Sequence, residues 1–320
     1  MIGFNNSEKN CESFENIEKD YKQKIIKIIN ESVLIVAHPD DEVLWASSVL
    51  NSVSKVIICF THQYKKDSIT TLGRKLLRNN FPLSNVVFLN LTEANVFDKG
   101  KWAAPKETEY GMHVEQDNHN YKKNYLLLKE KLRDFLIGVK VVITHNPWGE
   151  YGSEEHVQVH RAVCSLSDEF GFDTIVTGYV SEKSQRFMMM QRFKLDKIYC
   201  VLDTNHDLQK NLQKLYIENN AWTWPDNYKW PAQEIFYSMK KLDSLEGVVK
   251  DRVNPSDVSM PLNFIWINPL PASDNAILIR SIKILILAIT PKRVIDFYTN
   301  TVVVIFRMVK FKENVNKKTE

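Results

Sequence analysis

The chain has 320 residues, 44% of them hydrophobic and 25% charged, which is the make-up of a globular protein with one large core and argues against disorder. Its net charge of +3 is unevenly spread: from Ala276 onward Lys and Arg outnumber Asp and Glu, so the body is mildly acidic. That balance argues against a nucleic-acid-binding core and leaves the basic end for an acidic partner such as a membrane surface.

The first thirty residues are polar, with a lead-in helix expected over 21–29. The opening residues show no basic segment followed by an apolar stretch, so no secretory signal is read there. Cys11, Cys59, Cys164 and Cys200 are scattered without a Cys-x-x-Cys pair, which suits a reduced, cytoplasmic compartment and not a cysteine zinc site. Apolar strands are expected over 33–37, 56–60, 86–89, 139–144 and 174–177. Amphipathic helices are expected over 43–50, 72–79, 121–136 and 156–169. This alternation predicts an α/β fold: a Rossmann-like open parallel sheet with helices on both faces. The long connection 92–120, rich in aromatic and polar residues, reads as a lid over the C-terminal edge of the sheet. A further strand over 194–202 and a helix over 207–218 precede the aromatic patch Trp222-Thr223-Trp224-Pro225. The expected organisation is a lead-in over 1–30, a main domain over 31–235 and a C-terminal extension over 236–320. Within that extension, residues 276–312 interleave apolar and basic side chains in pieces too short to span a bilayer. They suit either a membrane interface or packing on the main domain.

Residues Ala37–Glu42 read Ala-His-Pro-Asp-Asp-Glu and directly follow the apolar run 33–36. In an open parallel sheet the C-terminal ends of strands are where ligands sit. Pro39 stops further pairing, so His38, Asp40 and Asp41 share one turn. Asp41 and Glu42 fall in the first turn of the next helix, where carboxylates suit the dipole, and Glu42 is read as structural. Oxygen and nitrogen ligands on one such turn make half of a metal site. A second strand-end loop supplies candidates for the other half: Thr144–His160 carries His156 and His160 four apart, and either reaches a metal from the helix start.

Taken together, the Ala-His-Pro-Asp-Asp-Glu turn and the later Gly149-x-Tyr151-Gly152-x-x-x-His156 loop resemble the LmbE/PIG-L family of zinc-dependent N-deacetylases, over roughly 32–224. The resemblance implies a hydrolase that removes an N-acetyl group from an amino sugar, glycolipid or surface-polysaccharide precursor. It further implies His38, Asp41 and His156 as ligands of Zn2+, or of another divalent ion such as Fe2+. On the same grounds Asp40 matches the general base, Tyr151 a carbonyl-polarising tyrosine, and Arg74 a substrate-binding arginine. Lys214 matches a late lysine-bearing helix. Trp102, Tyr110 and Trp222 are candidates to stack on sugar rings, or to serve as core. Where the family reads Tyr-Gly-His-Pro-Asp-His, this chain has Ser153 in place of the first histidine, which puts turnover and not metal binding in question. The alternative function is therefore a carbohydrate-binding or scaffolding relative with impaired catalysis. A dinucleotide enzyme is disfavoured, because no Gly-x-Gly-x-x-Gly follows the first strand. A cytoplasmic protein, peripheral on the inner membrane face through 276–312, completes the reading.

Overall fold

The computed structural model describes residues 20, 22–64, 68–241 and 263–267. The chain divides into two compact units, Met1–Pro271 and Ala272–Glu320, and all described residues lie in the first. The apolar and basic stretch 276–312 of the expected extension lies outside the described residues.

The backbone of the fold is a seven-stranded sheet. β1 (Val33–Val36) pairs in parallel with β2 (Lys55–His62) on one side and with β6 (Val141–Thr144) on the other. β3 (Val86–Thr92) continues beyond β2, and β7 (Asp173–Thr177) beyond β6. The remaining two members make the sheet mixed. β10 (Gln233–Met239) lies between β7 and β9 (Leu195–Asp203) and runs antiparallel to both, giving the order β3-β2-β1-β6-β7-β10-β9. Its sequence, Gln-Glu-Ile-Phe-Tyr-Ser-Met, has polar residues where a buried strand needs apolar ones, which hides it from pattern reading. Glu234 explains the exception: it is fully buried, and its carboxylate accepts bonds from the N–H and hydroxyl groups of Ser47 and Ser48.

All four β1 side chains are buried, because both faces of the sheet are covered. Leu34 and Val36 pack with the lead-in helix α1 (22–31), α2 (Asp41–Trp45) and α7 (His206–Glu218). Val33 and Ile35 pack on the other face with α4 (Asn118–Leu136) and α5 (Glu154–Phe170). α2 is shorter than the expected 43–50. The same Ser47 and Ser48 groups that bind Glu234 are drawn out of the helix, which ends at Ala46. α3 (Ile69–Asn79) starts at Ser68, whose hydroxyl accepts the Thr71 N–H, and turns Arg74 inward.

The connection 92–120 is packed down and contains a short hairpin, β4 (Glu107–Thr108) with β5 (Gly111–Met112). Ala94, Val96, Trp102, Met112 and Val114 bury themselves against Trp148, Val157 and Phe187. It forms a wall built on its own small core. β8 (Tyr179–Val180) pairs with β11 (Ile265–Trp266), and α6 (Gln185–Gln191) leads into β9. Among the described residues, no helix is long and apolar enough to cross a membrane.

Candidate metal centre and active site

The chain winds outward from β1 through β2 to β3, then crosses to β6 and β7 on the opposite side. The gap beyond the C-terminal ends of β1 and β6 is thus a topological switch point, where open α/β sheets place ligands. Both sequence motifs open there. At the end of β1, Asp40 takes a left-handed backbone (φ 98°), a conformation that Asp tolerates better than most residues. Asp40 stands at the N-cap of α2 without capping it. Its Oδ2 is instead occupied by the N–H (2.9 Å) and hydroxyl (2.6 Å) of Thr223, while its own N–H is taken by Glu42. Tyr216 of α7 donates its hydroxyl to the other oxygen of Glu42, which makes Glu42 the buried latch between α2 and α7.

Asp41 is turned by its own local bonds. Its Oδ2 accepts the His38 N–H at 2.7 Å and its Oδ1 accepts the Trp45 indole N–H at 3.0 Å. Across the gap, Ser153 caps α5 by accepting the His156 N–H, and this places the His156 ring over the β1 turn. The result is a near-equilateral triangle of donor atoms. His38 Nδ1 lies 3.2 Å from Asp41 Oδ2 and 3.3 Å from His156 Nε2, and His156 Nε2 lies 3.1 Å from Asp41 Oδ2. The two segments that the motifs predicted to converge therefore do so.

Hydrogen bonds behind the triangle show which lone pairs it offers. His38 Nε2 lies 2.8 Å from Glu155 Oε2, and His156 Nδ1 lies 2.7 Å from Glu150 Oε2. An ionised carboxylate only accepts, so each imidazole carries its proton on the outer nitrogen and turns a bare nitrogen inward. Two imidazole lone pairs and a carboxylate oxygen thus face one another in a buried space, an arrangement that calls for a cation. Ligands bonded to a tetrahedral ion at about 2.0–2.1 Å are separated by about 3.3 Å, matching the triangle's edges. Left without a cation, the same carboxylates hold protons on the imidazoles. Against burial, bonds to Asp41 and Glu155 raise the pKa of His38, and the charge of Asp41 pushes that of His156 up to about 9. Asp41 resists burial through both imidazoles and stays well below the usual carboxylate range.

Two neighbouring clusters fit an ion less well. In His145–Glu150–His156 both imidazole N–H groups are spent on Glu150, and His145 Nε2 already accepts the Ala37 N–H at 2.8 Å. In His38–Glu93–Glu155, Glu93 lies 3.9 Å from His38 and is neutralised by Arg74 at 2.6 Å.

The remaining expected residues surround the triangle. Burial, and then the charge of Asp41, raises the Asp40 pKa to about 7, with Arg74 and the Thr223 bonds restraining it. Tyr151 is buried, edge-on to His156 with ring centroids 5.2 Å apart and against Trp45 and Trp224. Burial keeps its phenol protonated, a donor at neutral pH. Arg74 is 2% exposed and its Nε has no partner among the described residues. His160, the other candidate ligand, turns away: its Nδ1 donates to the His145 carbonyl at 2.8 Å and its Nε2 meets Cys164 Sγ. Lys214 stands in solvent beside Glu218. Trp222 is fully buried against Tyr216 and Trp230, so its ring is core, and Trp102 is held by Glu154 against Phe187. Glu93, Glu150, Glu155 and Thr223 are not singled out from the sequence. The visible clue for Glu155 is its place beside His156, and for Glu150 its place in the same strand-end loop.

Fold and site together define an α/β protein with a His–Asp–His cluster at a sheet switch point that could hold a metal ion. No family model matches the chain. The uncharacterized protein L374 of Acanthamoeba polyphaga mimivirus is 25% identical over 200 residues, covering 60% of this chain and 82% of the relative. Similar solved structures include deacetylases. The zinc-inhibited form of teicoplanin deacetylase Orf2 matches at TM-score 0.44 and 10% identity, covering 66% of this chain and 99% of that one. The N,N'-diacetylchitobiose deacetylase of Pyrococcus horikoshii matches at TM-score 0.33 and 12% identity, covering 62% and 72%.

Proposed function

We propose that this protein is a metal-dependent hydrolase that removes the acetyl group from an N-acetylated amino sugar. The observation that carries the reading is the triangle of His38, Asp41 and His156, with edges of 3.1–3.3 Å and the Asp40 carboxylate on the adjoining residue. The motif resemblance supports the choice of amide over other hydrolysable bonds.

His38 Nδ1, Asp41 Oδ2 and His156 Nε2 would hold the ion. Bound there, a divalent ion such as zinc supplies the Lewis acidity that amide hydrolysis needs near neutral pH. Asp40, fixed through Oδ2 by Thr223, takes the proton of the water that adds to the carbonyl carbon. It returns that proton to the departing nitrogen as the C–N bond breaks, so the products are acetate and a free amine. Tyr151 donates its hydroxyl to the oxygen on which negative charge grows. Arg74, pinned by Glu93, keeps donors for the sugar's polar groups. The cytoplasmic location and an anionic membrane contact through 276–312 belong to this proposal, with vesicle flotation as their measurement.

The test is acetate release from a panel of N-acetylated amino sugars and glycolipids, before and after chelation, with zinc or Fe2+ restored. Release that disappears with chelator and returns with metal is expected. Ser153, in place of the family's usual histidine, favours a second reading, a sugar-binding relative without turnover. Stoichiometric metal with sugar binding but no acetate from any substrate would establish it.

A further inference from the structure

We infer that Glu150 is a positioning residue that, together with His145, sets the tautomer and aim of His156 and ties the two metal-binding turns to each other. The inference rests on the reading of His38, Asp41 and His156 as ion ligands. Glu150 has no exposed surface, yet every polar group it owns is spoken for. Its Oε2 takes two imidazole protons, from His156 Nδ1 at 2.7 Å and His145 Nδ1 at 2.9 Å. Its Oε1 accepts the Asn146 N–H at 3.0 Å and the Thr177 hydroxyl. Its own N–H donates to Asn146 Oδ1, and its carbonyl accepts from Ser184. The backbone there is left-handed, at φ 49°. A carboxylate taken so far out of water is costly unless fully bonded, and here the bonding converges on the ring that faces the cation site.

The consequence for His156 is geometric. With Nδ1–H committed to Glu150, the ring must present Nε2 bare and cannot rotate away without stranding a buried charge. His145 completes the bracket. Its ring stacks on His156 with centroids 3.9 Å apart and planes 22° off parallel, and it donates to the same Glu150 oxygen. Its Nε2 accepts the N–H of Ala37, the residue before His38. Ala37 is two residues past Ile35, which pairs with Thr144. The imidazole thus extends the β1–β6 ladder by one bond beyond the backbone. One carboxylate and one ring thereby couple the turn that carries His38 and Asp41 to the loop that carries His156.

Zinc affinity by competition with a chromophoric chelator tests the inference in the full chain. Wild type is expected to bind one zinc ion, and failure to do so overturns the ion-ligand reading itself before any variant is made. Glu150→Gln is expected to weaken zinc by about 10- to 100-fold. Thr177→Val loosens the same loop but leaves both imidazole bonds, and is expected to stay within about threefold of wild type. Equal affinity in Glu150→Gln, or an equal loss in Thr177→Val, would overturn the positioning role. Should Glu150→Gln fail to fold, nitrogen-15 spectra of histidine-labelled wild type decide alone: zinc-loaded His156 and His145 are expected as Nδ1–H tautomers, and His156 protonated on Nε2 refutes the inference.

Discussion

His160 offers a sharp test of how burial shapes this molecule. The side chain is 5% exposed, and its Nδ1–H is held by the His145 carbonyl. Burial, the largest influence, pushes its pKa down to about 3, with Lys194 and Arg161 adding to the push. The unfolded chain binds a proton at this position near pH 6.5. Because the folded value lies below the unfolded one, the contribution to stability is complete above about pH 6.5 and is lost as pH falls toward 3. Each pH unit in that window costs about 1.4 kcal/mol, so the descent from pH 7 to pH 5 costs about 2 kcal/mol at this one residue. Asn keeps a nitrogen donor where Nδ1 stands and cannot be charged, so His160→Asn removes the titration and preserves the bond. Urea unfolding of both proteins at pH 7 and pH 5 measures the difference, with all other histidines cancelling. The variant is expected to start less stable at pH 7, through lost packing, and then to lose about 2 kcal/mol less than wild type on acidification. Identical pH dependence in the two proteins would refute the argument.

Three further outcomes are expected. Asp40→Asn keeps the ion, because the triangle's atoms are untouched, and abolishes acetate release; metal analysis beside an acetate assay reads both, and an unchanged rate removes Asp40 as the base. Tyr216→Phe strips the hydroxyl from buried Glu42 and costs about 1–3 kcal/mol in denaturant unfolding, with zinc affinity unmoved. Ser153→Ala loses the α5 cap, costing about 1 kcal/mol in the same assay; a variant as stable as wild type would show that the Ser153 cap contributes nothing.

Much of the site was legible because its chemistry is local. A buried strand, a proline and three polar residues in one turn announce a ligand site whatever the rest of the chain does, and His38 and Asp41 sit where that turn requires. His156 is harder: from spacing alone His160 is its equal, and only the fold separates them, since helix α5 aims one ring at Asp41 and the other at a carbonyl. Hidden entirely are the distant partners that fix the turn and the helix after it. Thr223 meets Asp40 across 183 positions, and Glu234 meets Ser47 across 187, pairings with no periodic signature. Glu234 also masked the strand it belongs to, because a charged residue in a short segment reads as surface until its partners are known. The 92–120 connection reads as a lid from its length and its lack of periodicity, but its anchorage to α5 is not legible: Trp102 donates to Glu154, and the Ala94 N–H donates to Glu155.

Thr223 binds Asp40, and Glu234 of β10 binds Ser47, so the earliest motif of the chain is finished by segments 183 and 187 residues further on. At about 5–20 residues per second of synthesis, a ribosome needs about 10–40 s to travel from one to the other. Throughout that interval the acidic turn waits without Thr223, and the end of α2 waits without Glu234, although β2 and β6 already flank β1. The site is therefore completed late in the synthesis of each molecule.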